Sequence, residues 1–265
     1  MKALLAEVWQ RRALVGSLWK GDVLGRYANS AAGLLWAVFA PMGLIGVYVL
    51  LFSALLPSKV VGAGAVAGGF GFFVFAGMIP WLVVAGAAQN APGCLLAHGA
   101  TLRRFAIPPS VVPAAVVLSA LTDAVVAGML FGMALGASGR LAPLKLLALA
   151  PLAVLLVAMV YGLSLAVSAL NLYGRDVAHA VSAALPFWFF ATPVCYPAEA
   201  LPAGLGWALA LNPMDGFVQA ARWALLGSPA PGAGALAWSA AASLAALAAG
   251  AWVFQETRGD FADLL

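Results

Sequence analysis

Lys20-Gly-Asp22-Val-Leu-Gly-Arg26-Tyr27-Ala-Asn-Ser30-Ala-Ala-Gly33-Leu-Leu-Trp36 carries the chain out of mixed, basic sequence into a run from Gly33 to Leu56 with no charged side chain. An uncharged run of about twenty residues matches the hydrocarbon core of a bilayer crossed by one helix. Arg26 and Tyr27 stand at the junction, where a solvated segment enters lipid. Trp36 and Pro41 follow inside the run, and Pro41 removes one helical hydrogen bond, which predicts a bend. Upstream, residues 1–27 place Leu4, Val8, Val15, Leu18 and Trp19 near one helical face, with Glu7, Gln10, Arg11 and Ser17 opposite and Glu7 spaced to pair with Arg11. A basic amphipathic helix of this kind is expected to lie in the membrane interface.

Composition extends that reading to the whole chain. Hydrophobic residues make up 65% of the 265 and charged residues 8%. A soluble domain of this length carries about a quarter charged residues and has no room to hide so much apolar surface. The formal net charge of +4 is read as membrane orientation, not as affinity for nucleic acid. No cleavable leader is expected, because residues 1–30 lack a short apolar run ending in a small-residue cleavage site.

Working outward, a Gly/Ala-rich loop (57–69) with only Lys59 leads to a second span at 70–88. A polar connection from Gln89 to Pro109 holds His98, Arg103 and Arg104, and a third span at 111–137 holds Asp123 and the series Gly128, Gly132, Gly136. Small residues four apart form a strip on which another helix can pack closely. A fourth span at 146–170 ends in Asn171-Leu-Tyr-Gly-Arg175-Asp176, and a fifth occupies 178–195. Residues 196–231 are too proline-broken for a span and too apolar for a loop, with Glu199, Pro202, Asn212, Pro213, Asp215 and Arg222 along them. Irregular backbone at membrane depth must be buried in protein or line a wet cavity, so this stretch is read as a re-entrant helical hairpin. The last span is 233–254. The expected fold is an all-α integral membrane protein, a single transmembrane domain of six membrane-crossing helices. It has an N-terminal interface helix, and re-entrant periplasmic helices precede the last span.

With the N-terminus inside, Lys2, Arg11, Arg12, Lys20, Arg26, Arg103, Arg104, Arg175 and Arg258 face the cytoplasm, against Lys59, Arg140, Lys145 and Arg222 outside. That excess fits the positive-inside rule and makes both termini cytoplasmic. Cys94 and Cys195 then fall on opposite sides, which argues against a disulfide between them.

Chemistry is sparse. The chain has neither a Gly-x-x-x-x-Gly-Lys-Ser/Thr phosphate loop nor a His-Glu-x-x-His zinc pattern, and His98 and His179 lack ligand neighbours at metal spacing. Asp123 is the one carboxylate deep in a span; such acids are costly there and default to a functional reading, although no basic partner is evident in the sequence. The two cytoplasmic connections are compact elbows. A conduit without its own nucleotide site, if driven, must receive force from another protein at such places, and Arg103, Arg104, Phe105, Pro108, Arg175 and Asp176 are the docking candidates. Arg175 and Asp176 also suit a helix cap with anchoring at the headgroups.

Four features in order carry a resemblance: Arg26-Tyr27-x-x-Ser30-x-x-Gly33-x-x-Trp36-x-x-x-x-Pro41; Gly77-Met-Ile-Pro80-Trp81; Arg175-Asp176; and Thr192-Pro193-Val-Cys-Tyr196 with Leu201-Pro202, Asn212-Pro213 and Arg222. Together they span nearly the whole chain. The sequence resembles permease subunits of ABC transporters that export polysaccharides such as O-antigen, capsule or teichoic acid. One departure is Phe105-Ala-Ile-Pro108, where the family often has Phe-Pro.

The resemblance implies a homodimer in the bacterial inner membrane, docked on two copies of a separate ATP-binding subunit. ATP and Mg2+ belong to that subunit, and this chain holds no cofactor. The implied cargo is a glycan on an undecaprenyl-diphosphate carrier. Arg26, with Tyr27, would meet the lipid diphosphate, since a guanidinium can grip phosphate oxygens by two hydrogen bonds. Phe72, Phe75, Trp81, Phe187, Trp188 and Tyr196 are candidates to line the glycan path, because aromatic faces suit sugar C–H groups. The alternatives are a permease for a drug or small lipid, a stand-alone ion-coupled carrier using Asp123, and a membrane enzyme, for which no paired acid and base is apparent.

Overall fold

The computed structural model describes residues 2–27, 69–105, 107–137, 139, 143–198, 204 and 206–265, with nine scattered positions between 35 and 51. The expected first span at 33–56 therefore lies largely outside the described residues. So do Ser30, Gly33, Pro41, Lys59, Arg140, Glu199, Leu201, Pro202 and the side chain of Tyr27.

Among the described residues every regular element is helical. In chain order these are α1 (Lys2–Gln10), α2 (Arg12–Tyr27), α3 (Gly69–Ala97), α4 (Gly99–Phe105), α5 (Val111–Ala137), α6 (Pro143–Tyr173), α7 (Asp176–Ala191), α8 (Gly206–Leu211), α9 (Met214–Leu226), α10 (Ala233–Thr257) and, after a 3-10 turn, α11 (Phe261–Leu264). Among the described residues four stretches are long and apolar enough to cross a membrane: Gly69–Ala97, Val111–Ala137, Leu144–Tyr173 and Ala233–Leu264. The 16 residues of α7 rise only about 24 Å, short of a hydrocarbon core of about 30 Å.

Two boundaries differ from the sequence expectation for physical reasons. α3 continues to Ala97, past residue 88, because Gln89 and Asn90 carry no charge and the Asn90 amide folds back to donate to the Gly86 carbonyl at 2.7 Å. The polar connection is thus mostly helix, interrupted at His98, between α3 and α4, and again before Val111. α7 stops at Ala191, before residue 195, because Thr192 precedes Pro193 and takes the extended conformation (φ −96°, ψ 131°) that a following proline imposes.

The N-terminal segment is not one continuous helix. It breaks at Arg11 into α1 and α2. Its apolar face, with Leu4 and Val15 buried and Val8, Leu18 and Trp19 packed against them, lies on protein, and the Trp19 indole N–H donates to the Thr122 hydroxyl of α5 at 2.8 Å. Glu7 does not pair with Arg11; it pairs with Arg258 at 2.7 Å and accepts from the Ser110 hydroxyl at 2.6 Å. That joins the first and last helical turns of the chain.

The tightest helix packing lies elsewhere than the glycine series on α5. Among the described residues nothing lies within 4 Å of where a Cβ would sit on Gly128, Gly132 or Gly136. The close approach is between α6 and α10, where a Cβ on Gly250 would collide with the Gly162 carbonyl, and one on Gly162 with the Ala246 carbonyl. With no side chain between them, the two backbones touch there.

Candidate functional site

The bundle end that carries both termini and both short connections leads into α2, which brings Arg26 against Asp123, part way along α5. The Arg26 guanidinium donates to Asp22 one turn earlier at 2.8 Å and to Asp123 at 2.9 Å. The carboxylate that seemed to have no partner in the sequence has one, 97 residues away. Burial alone would raise the Asp22 pKa, but the Ser119 hydroxyl and the Arg26 guanidinium outweigh it and hold that carboxyl below its ordinary value. For Arg26, burial works against the charge, and the two carboxylates more than compensate, so its pKa lies above the usual arginine value. All three side chains keep 31–45% of their surface exposed. One cation and two anions leave a net negative charge. Each carboxylate takes one of the five N–H donors of the guanidinium.

The docking candidates sit at the same end and face outward. Arg103, Arg104, Arg175 and Asp176 are exposed, Phe105 is 63% exposed under the Arg104 guanidinium, and Pro108 is half-buried. Capping of α7 falls to a residue the sequence did not single out. Arg175 makes no side-chain cap, whereas the Asn171 carbonyl oxygen accepts from the Ala178 N–H at 3.1 Å. Beneath the elbows, the last residues form a strap. Arg258 holds α1 through Glu7, the Tyr173 hydroxyl at the end of α6 donates to Asp260, and Leu265 packs against Gly99 at the start of α4. None of these long-range pairs leaves a local pattern. Only the placement of Arg258, Asp260 and Tyr173 next to apolar runs hints that they meet at one membrane boundary.

At the opposite end, the motif residues converge. Asn212 donates to the Thr192 hydroxyl at 2.8 Å and the Ala191 carbonyl at 3.0 Å, while its side-chain oxygen accepts from the Trp188 indole at 3.1 Å and the Met214 N–H at 3.0 Å. Every hydrogen-bonding direction of that amide is used. Arg222, buried in α9, donates to the Val194 carbonyl at 2.6 Å, and its guanidinium lies 3.5 Å from the centroid of the Phe73 ring. Gly77 makes room for it, since a Cβ there would stand 3.0 Å from the guanidinium. Pro213 accepts from the Ser239 hydroxyl at 2.6 Å, which ties the turn to α10. Residues from Phe73 to Ser239 thereby form one lock around the turn after α7.

The aromatic candidates divide sharply. Phe75 stacks on Phe131 at 4.7 Å, and half-buried Phe72 tilts against the same ring. Trp81 is 5% exposed, packed edge-on to Trp188 and against Phe189. Trp188 is committed to Asn212, and the Tyr196 hydroxyl donates to the Phe190 carbonyl at 2.7 Å. Of the six, only Phe187, 79% exposed, presents a free face; Phe190, which the sequence reading passed over, is exposed as well.

The segment from α2 to α9 that builds both clusters is also the segment that other proteins share. The ABC-2 type transporter family matches residues 13–226. An O-antigen export system permease protein RfbA of Myxococcus xanthus is 30% identical over 269 residues, covering 99% of each chain. Two Klebsiella pneumoniae proteins of the same name are 26% and 25% identical over 74% of each chain. Four apolar helices, two outward elbows and a family match over most of its length lead to one conclusion: the chain belongs to the ABC-2 type transporter family, as a membrane permease with a transport and not a catalytic role.

Proposed function

We propose that the chain is the membrane half of an ABC exporter that moves an undecaprenyl-diphosphate-linked polysaccharide from cytoplasm to periplasm. The observation that carries this reading is the end-to-end similarity to an O-antigen export permease, over 99% of both chains. The assembly is a homodimer in the bacterial inner membrane with six spans per copy, both termini cytoplasmic, on two ATP-binding subunits. ATP and Mg2+ bind those subunits. The elbows support the reading, because Arg103, Arg104, Phe105, Arg175 and Asp176 are exposed at one end and are joined beneath by the strap from Arg258 to Leu265. A push on either elbow reaches α1 through Glu7 and so the helix pair that holds Arg26. Only a difference in interaction between two states shifts such an equilibrium, and nucleotide-driven closure of the partner supplies it.

In this scheme Arg26 is poised, not empty. The arriving diphosphate exchanges for Asp123 or Asp22 on the guanidinium, loosening α2 from α5 as it binds. The glycan then follows a path to which Phe187 offers its ring, while the buried rings shape its wall from behind. Co-purification with an ATP-binding subunit of an ABC exporter, and export of glycan by the pair but not by either alone, is the test. Uptake or efflux by the purified permease in vesicles without any ATPase would instead favour an ion-coupled carrier using Asp123. Transport of short drugs or lipids only, by the complete pair, would favour the small-cargo alternative.

A further inference from the structure

An apolar groove of about 400 Å³ opens between α3, α5, α6 and α9, within the range of about 300–1,000 Å³ typical of small-molecule sites. Its lining alternates small and large: Gly128 of α5, Leu149 and Ala153 of α6, and Phe217, Ala221 and Leu225, spaced four apart along α9. Among the described residues nothing lies within 4 Å of a Cβ on Gly128, so the α5 wall is open at backbone level. On the α6 and α9 sides the groove runs up to a rim of different character. Lys145, next to the lining residue Leu146, holds its ammonium 5.5 Å from the centroid of the Trp223 ring, and Trp223 sits between lining residues of α9. Among the described residues no carboxylate lies within 4 Å of that ammonium. A tryptophan and a lysine at the end of a long apolar helix mark the headgroup level, where a lysine keeps its charge in the wet layer.

We propose that this groove holds one acyl chain of an anionic phospholipid, whose phosphate rests on Lys145. The charge argues for the occupant. A strip that merely faced bulk lipid would need no cation at its mouth, and an ammonium that spends one face on an indole ring still has donors for a phosphate oxygen. The position argues for a consequence. The α9 stripe that lines the groove lies on the helix whose other side carries Arg222 and the lock around Val194, so a seated chain braces the hairpin from outside. Assigning the lipid to the outer leaflet rests on the orientation proposed above; the binding itself does not.

The test is native mass spectrometry and thermal melting of the full chain in detergent, with added phosphatidylglycerol or phosphatidylcholine of identical acyl chains. The wild type is expected to retain phosphatidylglycerol in excess over phosphatidylcholine and to melt higher with it. Lys145→Gln brings the two lipids to parity, Lys145→Arg restores the preference, and Gly128→Phe, which fills the groove, abolishes retention of both. Equal retention of the two lipids by the wild type, or an unchanged preference in Lys145→Gln, overturns the proposal. So does a wild type that holds no lipid, or a change of oligomeric state in Gly128→Phe with no change in lipid retention, which would make the groove a seat for another protein segment. Because nothing here reads export, failure of this test is separable from failure of the exporter reading.

Discussion

The two ends of the bundle are held together by opposite kinds of chemistry. Toward the elbow end the cross-links are ion pairs with roughly a quarter to nearly half of each side chain exposed: Arg26 with Asp22 and Asp123, and Arg258 with Glu7. At the hairpin end they are buried hydrogen bonds of Asn212 and Arg222 to backbone and hydroxyl groups. Solvated ion pairs are each worth about 0–1 kcal/mol and can exchange partners in water. Buried bonds left half-made cost about 1–3 kcal/mol each. One end is therefore built to move and the other to stay.

Breaking the buried, tightly packed contacts should do the most damage. Gly250→Leu places a side chain into the Gly162 backbone, which no rotamer relieves, and Arg222→Met strands the Val194 carbonyl and uncovers the Phe73 ring. Each is expected to lose about 3 kcal/mol or more, read as failure to assemble in the membrane or a collapsed melting temperature in detergent. Asn212→Ala comes next, at about 2–3 kcal/mol, since the Trp188 indole and the Thr192 hydroxyl lose their shared partner. A melting curve unchanged by Asn212→Ala would mean that the hairpin is not locked through this amide.

The sequence made these two ends unequally legible. Helical, membrane-crossing architecture was visible because charge gaps and apolar length are local properties. The residues of the lock, Gly77, Thr192, Asn212 and Arg222, came together only through the motifs that carry the family resemblance, and those motifs do not say who bonds whom. Partners 97 or 251 residues apart, as in Arg26–Asp123 and Glu7–Arg258, leave no periodicity to read. Local pattern even misled. Glu7 and Arg11 had ideal pairing spacing and do not pair, and the regular glycines of α5 stay open while two isolated ones, Gly162 and Gly250, carry the close contact. Spacing says which residues share a face, and only packing says what that face meets.

At the mobile end the expected effects on stability are small and those on transport large. Arg26→Gln and Asp123→Asn should each change stability by no more than about 1 kcal/mol, while Arg26→Gln sharply reduces export by correctly assembled complex. If assembled Arg26→Gln exports normally, the guanidinium has no part in handling the diphosphate. Asp123→Asn separates the roles further. It removes one competitor for the guanidinium and should favour substrate binding over release, seen as a raised ATPase response to added glycolipid.

The pH dependence of the same clamp gives the subtlest break. The folded pKa of Asp22 is depressed, so its stabilisation is present above the unfolded carboxylate value of about 3.9 and is lost as pH falls through the lower folded value. Arg26, raised above its ordinary value, remains charged throughout the accessible range. The difference in melting temperature between wild type and Asp22→Asn should therefore stay flat from about pH 5 to 8 and shrink only in stronger acid. A difference that instead varied across neutrality would place a second titrating group in the clamp. A flat profile leaves substrate exchange, not protonation, as the event that opens α2 from α5.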